Sequence, residues 1–285
     1  MLRTRTMVWG LAVASLLLMT AAFGAGSARA ANCTEGTTVS SEAFVTLTPD
    51  ERASCGFGQH PSAARIKQAE IEEQSAQSNP AVAQKLADSQ RLADTERQKS
   101  RAGAPAPLFP AGTMMVPWIQ QSTYYYCGPA STLMALRYMA ADAGLSANDA
   151  VAQDELWPQV GGVPANGSDS IAIASVLNGR QSRNFYLGGY YNMSGCDIDC
   201  FKVRWQYDFD HSSPGIPNID TNLLTSYGGQ LYAHYVTQRG YDWGPDTVSY
   251  NDPNSLFHGG IWDDPRLDMW RAITQRRSGL QSFVW

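Results

Sequence analysis

The sequence has few charged residues and few cysteines. Charged side chains make up 16% of its 285 residues, below the usual quarter, which argues against a solvated, disordered chain. The formal charge is −5, so the basic excess of a nucleic-acid-binding protein is missing. Walker, Rossmann and HExxH patterns are also absent, and we therefore expect no nucleotide cofactor and no catalytic zinc.

Long apolar runs are confined to the first 30 residues. Arg3 and Arg5 precede the apolar run Val8–Ala22, and Ala28-Arg29-Ala30 offers a small-residue cleavage site. This order is typical of a secretory signal peptide cut near Ala30, and a membrane anchor is the alternative. We expect a secreted, extracellular protein that has no stable membrane association after cleavage.

Composition divides the rest of the chain at a proline-rich segment. Residues 62–100 are rich in Ala, Gln, Glu, Lys and Arg and predict one or two exposed helices interrupted near Asn79-Pro80. The sequence AGAPAPLFP at 102–110 predicts an extended linker. We therefore expect a signal peptide over 1–30, an N-terminal arm and linker over 31–110, and a functional domain over 111–285. The alternative for the arm is a propeptide that covers a site.

The functional domain is predicted to have helices first and strands later, which indicates an α+β fold. Apolar residues recur at helical spacing over Gly128–Ala143, and a second helix is expected over Ser168–Leu177. Alternating patterns predict a short edge strand and a later hairpin. The predicted ranges are Thr113–Ile119 for the edge strand, Gln230–Gln238 and Thr247–Tyr250 for the hairpin strands, and Gly240–Asp246 for their turn.

The five cysteines are an odd number, so at least one is left unpaired or bonded to a partner in an oxidising compartment. Cys196 and Cys200 are separated by three residues and predict a disulfide loop, with a pair of metal ligands as the alternative. Cys33 and Cys55 can form a second bridge, although other pairings stay open. With these two pairings, Cys127 is the free thiol.

Cys127 stands at the predicted start of a helix, in the motif Tyr126-Cys127-Gly128-Pro129. A thiol there faces unpaired backbone N–H groups and the positive end of the helix dipole. Both favour the thiolate, which is the nucleophilic form of cysteine. The alternative is a buried structural cysteine at a helix end, and position alone does not decide between the two.

Three further motifs accompany this cysteine in a fixed order. Gln120-Gln121 precedes it, Tyr232-Ala233-His234-Tyr235 lies late in the domain, and Tyr250-Asn251-Asp252-Pro253 follows. The set resembles papain-like cysteine peptidases, nearest to the double-glycine-leader (bacteriocin-processing) peptidases and their stand-alone secreted relatives. The resemblance covers roughly residues 113–253.

The resemblance implies a papain-like α+β fold after the helical arm. An N-terminal helical part would carry Cys127, and a C-terminal antiparallel sheet would carry His234 and Asp252. Cys127 would attack the substrate carbonyl, His234 would act as base and acid, and Asp252 would orient the imidazole. Gln121, or Gln120 as the alternative, would complete an oxyanion hole with the backbone N–H of Cys127. The expected substrate is a peptide or protein, with no cofactor, metal or nucleic acid.

Several alternatives stay open. His258 is the second candidate for the base, His211 is expected to be exposed, and Asp246 and Asn251 compete with Asp252 for the orienting role. The same residues also serve acyl-transferase or amidase chemistry, transglutaminase-like or cell-wall-directed. A non-catalytic secreted binding module is the third possibility, and the sequence predicts no oligomeric state.

Overall fold

The computed structural model describes residues 62–102, 111–163, 167–254 and 259–285, and all of them belong to one compact unit. None of the helices in these ranges has the length and apolarity needed to cross a membrane. Several positions that the sequence singles out lie outside the described residues, namely the signal peptide, most of the proline-rich linker, Cys33, Cys55 and His258.

Two helices form the described part of the arm, α1 (Ala63–Gln77) and α2 (Pro80–Arg101). The break between them falls at the predicted Asn79-Pro80. The Asn79 side chain accepts the backbone N–H of Ala81 at 2.9 Å, and proline suits the first turn of a helix because its missing N–H has no partner there. The helical arm is therefore present as the sequence predicts.

Five α-helices lie in the described part of residues 111–285, which is called the domain below. Three of them begin where a side chain accepts backbone N–H groups of the first turn, from Asn148, Asp169 and Asp197, as an N-cap does. The five are α3 (Cys127–Met139), α4 (Asp149–Leu156), α5 (Ser170–Arg180), α6 (Ile198–Asp210) and α7 (Arg266–Thr274).

The strands form two antiparallel sheets. One has the order β1-β4-β5-β6 and the other the order β3-β2-β7, so the α+β class is confirmed. The strands are β1 (Gly112–Thr113), β2 (Ile216–Asp220), β3 (Ala233–Tyr235), β4 (Thr237–Asp242), β5 (Thr247–Asp252), β6 (Gly260–Pro265) and β7 (Phe283–Val284).

The strand predicted over Gln230–Gln238 is in fact divided at Val236. Before this residue the chain pairs with β2, and after it with β5. The sheet change explains why one alternating pattern yields two strands, and it places His234 and Asp252 in different sheets. The predicted turn is also shorter, because β4 continues to Asp242.

Two other predicted elements are shorter or shifted. The edge strand ends at Thr113 rather than at Ile119, and Pro117 within that stretch has no N–H to donate to a ladder. Helix α3 ends at Met139 rather than Ala143, because Ala140 turns into the left-handed region at φ 51° and its N–H binds the carbonyls of the last turn. This is a common helix ending, although glycine is the usual residue there. Helix α5 begins at Ser170 and continues past the predicted end at Leu177 to Arg180.

Helix α3 lies in the interior of the domain, with eleven of its thirteen residues buried. It packs against α4, α5 and β3, so its first residue is held from several directions. The arm helix α2 lies along α6 and buries Val82, Lys85 and Ala93 on its inner face. The arm is therefore held against the domain by apolar residues together with a buried lysine, and by ion pairs such as Arg97–Asp197 and Lys202–Glu96.

Candidate active site

Cys127 is the first residue of α3, and it is a free, buried thiol. The preceding Tyr126 offers no side-chain hydrogen bond to the helix end, which leaves the first backbone N–H groups open. Gly128 is required by a close approach, because a Cβ there would lie 2.1 Å from Ser168 Oγ. The glycine therefore lets the loop before α5 reach the residue next to the thiol.

Two hydrogen bonds join α3 to the chain that follows His234, one at the end of β3 and one at the start of β4. Ser131 Oγ donates to the carbonyl of Tyr235 at 3.1 Å, and Thr237 Oγ1 donates to the carbonyl of Ser131 at 3.1 Å. Ser131 lies one turn after Cys127, and Tyr235 follows His234 directly. The two bonds thus fix the separation between the thiol and the imidazole.

His234 lies between Cys127 and Asp252. Its Nε2 is 2.7 Å from Asp252 Oδ1. The His234 ring also forms a hydrogen bond with Cys127, and we assign this bond to Nδ1 because Nε2 is already engaged. Burial alone would lower the pKa of His234, but the charge and hydrogen bond of Asp252 and the contact with Cys127 raise it to about 10. The imidazolium is therefore the favoured form at neutral pH.

The sequence-predicted Gln121 is buried, whereas Gln120 is exposed. The backbone N–H of Gln121 donates to the carbonyl of Pro253 at 2.8 Å, so the glutamine lies beside the end of the strand that carries Asp252. Its Nε2 donates to the carbonyl of Thr123 at 2.9 Å, and its Oε1 is buried without a hydrogen bond. The amide therefore lies in the loop that leads to Cys127 and is engaged within that loop.

Gln153 on α4 holds this loop, and the sequence offered no signal for it. Its Oε1 accepts the N–H of Ser122 and its Nε2 donates to the carbonyl of Gln120, each at 2.9 Å. The side chain thereby pairs with the backbone on both sides of Gln121, as a neighbouring strand would. The contact holds the backbone on either side of Gln121, and it depends on the packing of α4 against this loop, which the local sequence does not show.

The competing residues for the orienting role are engaged elsewhere. Asn251 points away from His234 and donates its amide to the carbonyl of Val116 at 2.9 Å. Asp246 lies in the turn after β4 and forms an ion pair with Arg266 at 2.8 Å. Their side chains thus bond groups other than the imidazole. The residue that bonds His234 is Asp252.

Other sequence alternatives also have a definite location. His211 is exposed and bonds the carbonyl of Tyr207 at 2.7 Å. Cys196 and Cys200 form the predicted disulfide, so they are not metal ligands. In the parts of the chain that the structure describes, no group of three or more His, Cys, Asp or Glu side chains is arranged to hold a metal ion.

Replacing Asp252 by asparagine is expected to lower the pKa of His234 from about 10 towards its ordinary value of about 6.5. The substitution removes the negative charge that favours the imidazolium, so the proton is lost at lower pH. NMR titration of the His234 ring signals measures this. Asp246→Asn is the matched control, because it removes the same charge from a carboxylate that bonds Arg266 instead. Equal His234 titration in both variants would contradict the expectation.

Comparison with known proteins gives the family. The model of the Peptidase_C39 like family matches residues 113–277, further along the chain than the resemblance read from the motifs. No curated protein matches the sequence. A similar solved structure is that of a double glycine motif protease from an AMS/PCAT transporter in complex with the leader peptide. It is 16% identical, with 61% of this chain and 91% of that chain covered and a TM-score of 0.37. Since the family match spans more than half of the sequence, the protein belongs to the Peptidase_C39 like family of cysteine peptidases.

Proposed function

We propose that this protein is a secreted cysteine peptidase in which Cys127 is the nucleophile, His234 the base and acid, and Asp252 the orienting carboxylate. The observation that carries the proposal is the position of the His234 ring, which bonds a free thiol on one side and a buried carboxylate on the other. A structural cysteine at a helix end has no need of this arrangement, whereas a nucleophile does.

The reaction follows from the proton positions. His234 holds the proton of the Cys127 thiol, and the thiolate attacks the carbonyl carbon of the substrate peptide bond. The C–N bond then breaks as His234 passes its proton to the leaving amine, which leaves an acyl group on the sulfur. Water adds to this thioester with His234 as base, and the acid is released while the thiol is restored.

We assign the oxyanion contacts to the backbone N–H of Cys127 and the side-chain amide of Gln121. The open helix end supports the first contact, and the loop held by Gln153 supports the second. The Gln121 amide must leave the carbonyl of Thr123 or share its second N–H with the oxyanion. Loss of one such donor typically lowers turnover by about 10²- to 10³-fold.

The proposal also includes export and the three-part organisation of the chain. The signal-peptide pattern in residues 1–30 supports export of the protein. The Cys196–Cys200 disulfide is consistent with an oxidising compartment. In this scheme residues 31–110 accompany the peptidase domain at 111–285. Acyl transfer to an amine acceptor is the alternative outcome of the same chemistry.

The test combines thiol labelling with a search for products. We expect iodoacetamide at neutral pH to alkylate Cys127 in the purified chain from Ala31, as located by peptide mapping, and a peptide library to be cleaved. His234→Ala should slow the labelling at least about tenfold, since the base is lost. His211→Ala, the matched control at an exposed histidine, should not. An unreactive Cys127 would refute the proposal, and amine-coupled products in place of cleavage would replace it by acyl transfer.

A further inference from the structure

A buried tyrosine contacts the far side of the Asp252 carboxylate. Asp252 Oδ1 accepts His234 Nε2 at 2.7 Å and the backbone N–H of Asn254 at 2.8 Å. The other oxygen, Oδ2, accepts the hydroxyl of Tyr227. Both carboxylate oxygens are thus hydrogen-bonded, and the group has no exposed surface. A buried carboxylate remains ionised when such donors compensate for the lost water.

Tyr227 is held in position independently of Asp252. It ends a short 3₁₀ turn, Thr225–Tyr227, whose middle residue Ser226 is fixed by Asp264. The backbone N–H of Ser226 donates to Asp264 Oδ1 at 3.0 Å, and Ser226 Oγ donates to Asp264 Oδ2 at 2.5 Å. Tyr250, two residues before Asp252, donates its hydroxyl to the same Oδ2 at 2.7 Å. The turn is therefore anchored to the two strands beside the carboxylate.

We propose that Tyr227 is a positioning residue for the site. Its hydroxyl fixes the plane of the Asp252 carboxylate and keeps this group in its ionised form beside His234. The inference rests on the proposed function, since it concerns how the Cys127–His234 pair is maintained. Tyr227 acts through Asp252, and we assign it no contact with substrate.

The protonation states support this role. Burial, and then the charge of Asp252, raise the pKa of Tyr227 well above its ordinary value, so the phenol remains a donor over the working pH range. Ionised Asp252 in turn raises the pKa of His234 and favours the imidazolium. The titratable groups that surround Asp252 in the described residues are His234 on β3, Tyr227 on the 3₁₀ turn, Tyr250 on β5, Asp264 on β6 and Cys127 on α3.

The test compares two buried tyrosines whose hydroxyls have different acceptors. Tyr227→Phe removes the donor to Asp252, and Tyr186→Phe removes a similarly buried hydroxyl that donates to the carbonyl of Pro214 at 3.1 Å. We expect Tyr227→Phe to lower kcat about tenfold with KM unchanged, since one hydrogen bond to a charged group is lost. The acid limb of the pH profile should move to higher pH, because Asp252 takes up a proton more easily without this donor. Tyr186→Phe should leave both quantities near those of the parent protein.

A double-mutant cycle and thiol labelling complete the test. If Tyr227 acts through Asp252, its replacement should have no further effect on activity when Asp252 is already asparagine. The rate of Cys127 alkylation against pH gives the same readout without a substrate. A reactive parent protein whose Tyr227→Phe and Tyr186→Phe variants have the same pH profile would overturn this inference alone. An unreactive parent protein would overturn the proposed function itself.

Discussion

Replacing Cys127 by alanine is expected to lower peptide cleavage by about 10⁴-fold or more while the fold is retained. The substitution removes the sulfur that forms the acyl intermediate, and neither His234 nor Asp252 can form that bond in its place. Because the remaining groups act as a unit with the nucleophile, Cys127→Ala with His234→Ala should be little worse than the single change. Turnover of a cleaved library peptide measures this.

Cys127→Ser is the matched variant, since it keeps the size and the helix start and exchanges only the nucleophilic atom. A serine hydroxyl ionises far less readily than a thiol, so the same His234 leaves it almost unreactive. We expect both variants to unfold at temperatures close to that of the parent protein. If either retains more than about a hundredth of the activity, the nucleophile lies elsewhere and the assignment of Cys127 is wrong.

The four candidate residues could be predicted because each belongs to a short local pattern. Cys127 is recognisable at a helix start. Gln121 before it, and His234 and Asp252 after it, lie at spacings that the resemblance supplies. Tyr227 and Gln153 carry no such pattern. They reach the site through contacts between distant parts of the chain, and a tyrosine in a short turn or a glutamine on a helix is compatible with many surroundings.

The helices show the same limit. Helix α6 was not predicted, although its N-cap Asp197 and its buried Phe201 and Trp205 are typical of a helix. The buried face also includes Asp208, and a carboxylate on that face interrupts the apolar period on which the prediction depends. Its counter-charge is Lys85 on α2, which the sequence alone does not bring near.

Lys85 joins the arm to the domain at a fully buried position. Its Nζ lies 3.5 Å from Asp208 Oδ1, donates to the carbonyl of Phe185 at 3.1 Å, and lies 4.5 Å from the ring centre of Trp285. Burial lowers the pKa of Lys85 to about 8 and raises that of Asp208 to about 7. Burial therefore disfavours both charges, and the charged form of each residue is stabilised by the charge of the other.

Lys85→Met is expected to destabilise the protein by about 3–5 kcal/mol at pH 8, because Asp208 is left as a buried charge without its counter-charge. The loss should be smaller at pH 5. The folded-state pKa of Asp208 is raised above its unfolded value, so its favourable contribution is present at low pH and is lost as the pH rises through about 7. Urea unfolding at the two pH values measures the difference.

Two further variants separate this anchor from a general effect of lysine removal. Lys67→Met on the exposed surface of α1 should change stability by less than about 0.5 kcal/mol. Lys85→Met combined with Asp208→Asn should recover much of the loss, since the carboxylate that had lost its ion-pair partner is then neutral. If Lys85→Met changes the free energy of unfolding as little as Lys67→Met does, the arm is not anchored at this point. A removable propeptide is then the better interpretation of residues 31–110. If the expected losses are found, residues 62–102 are part of the folded peptidase, and cleavage of the linker should leave them bound.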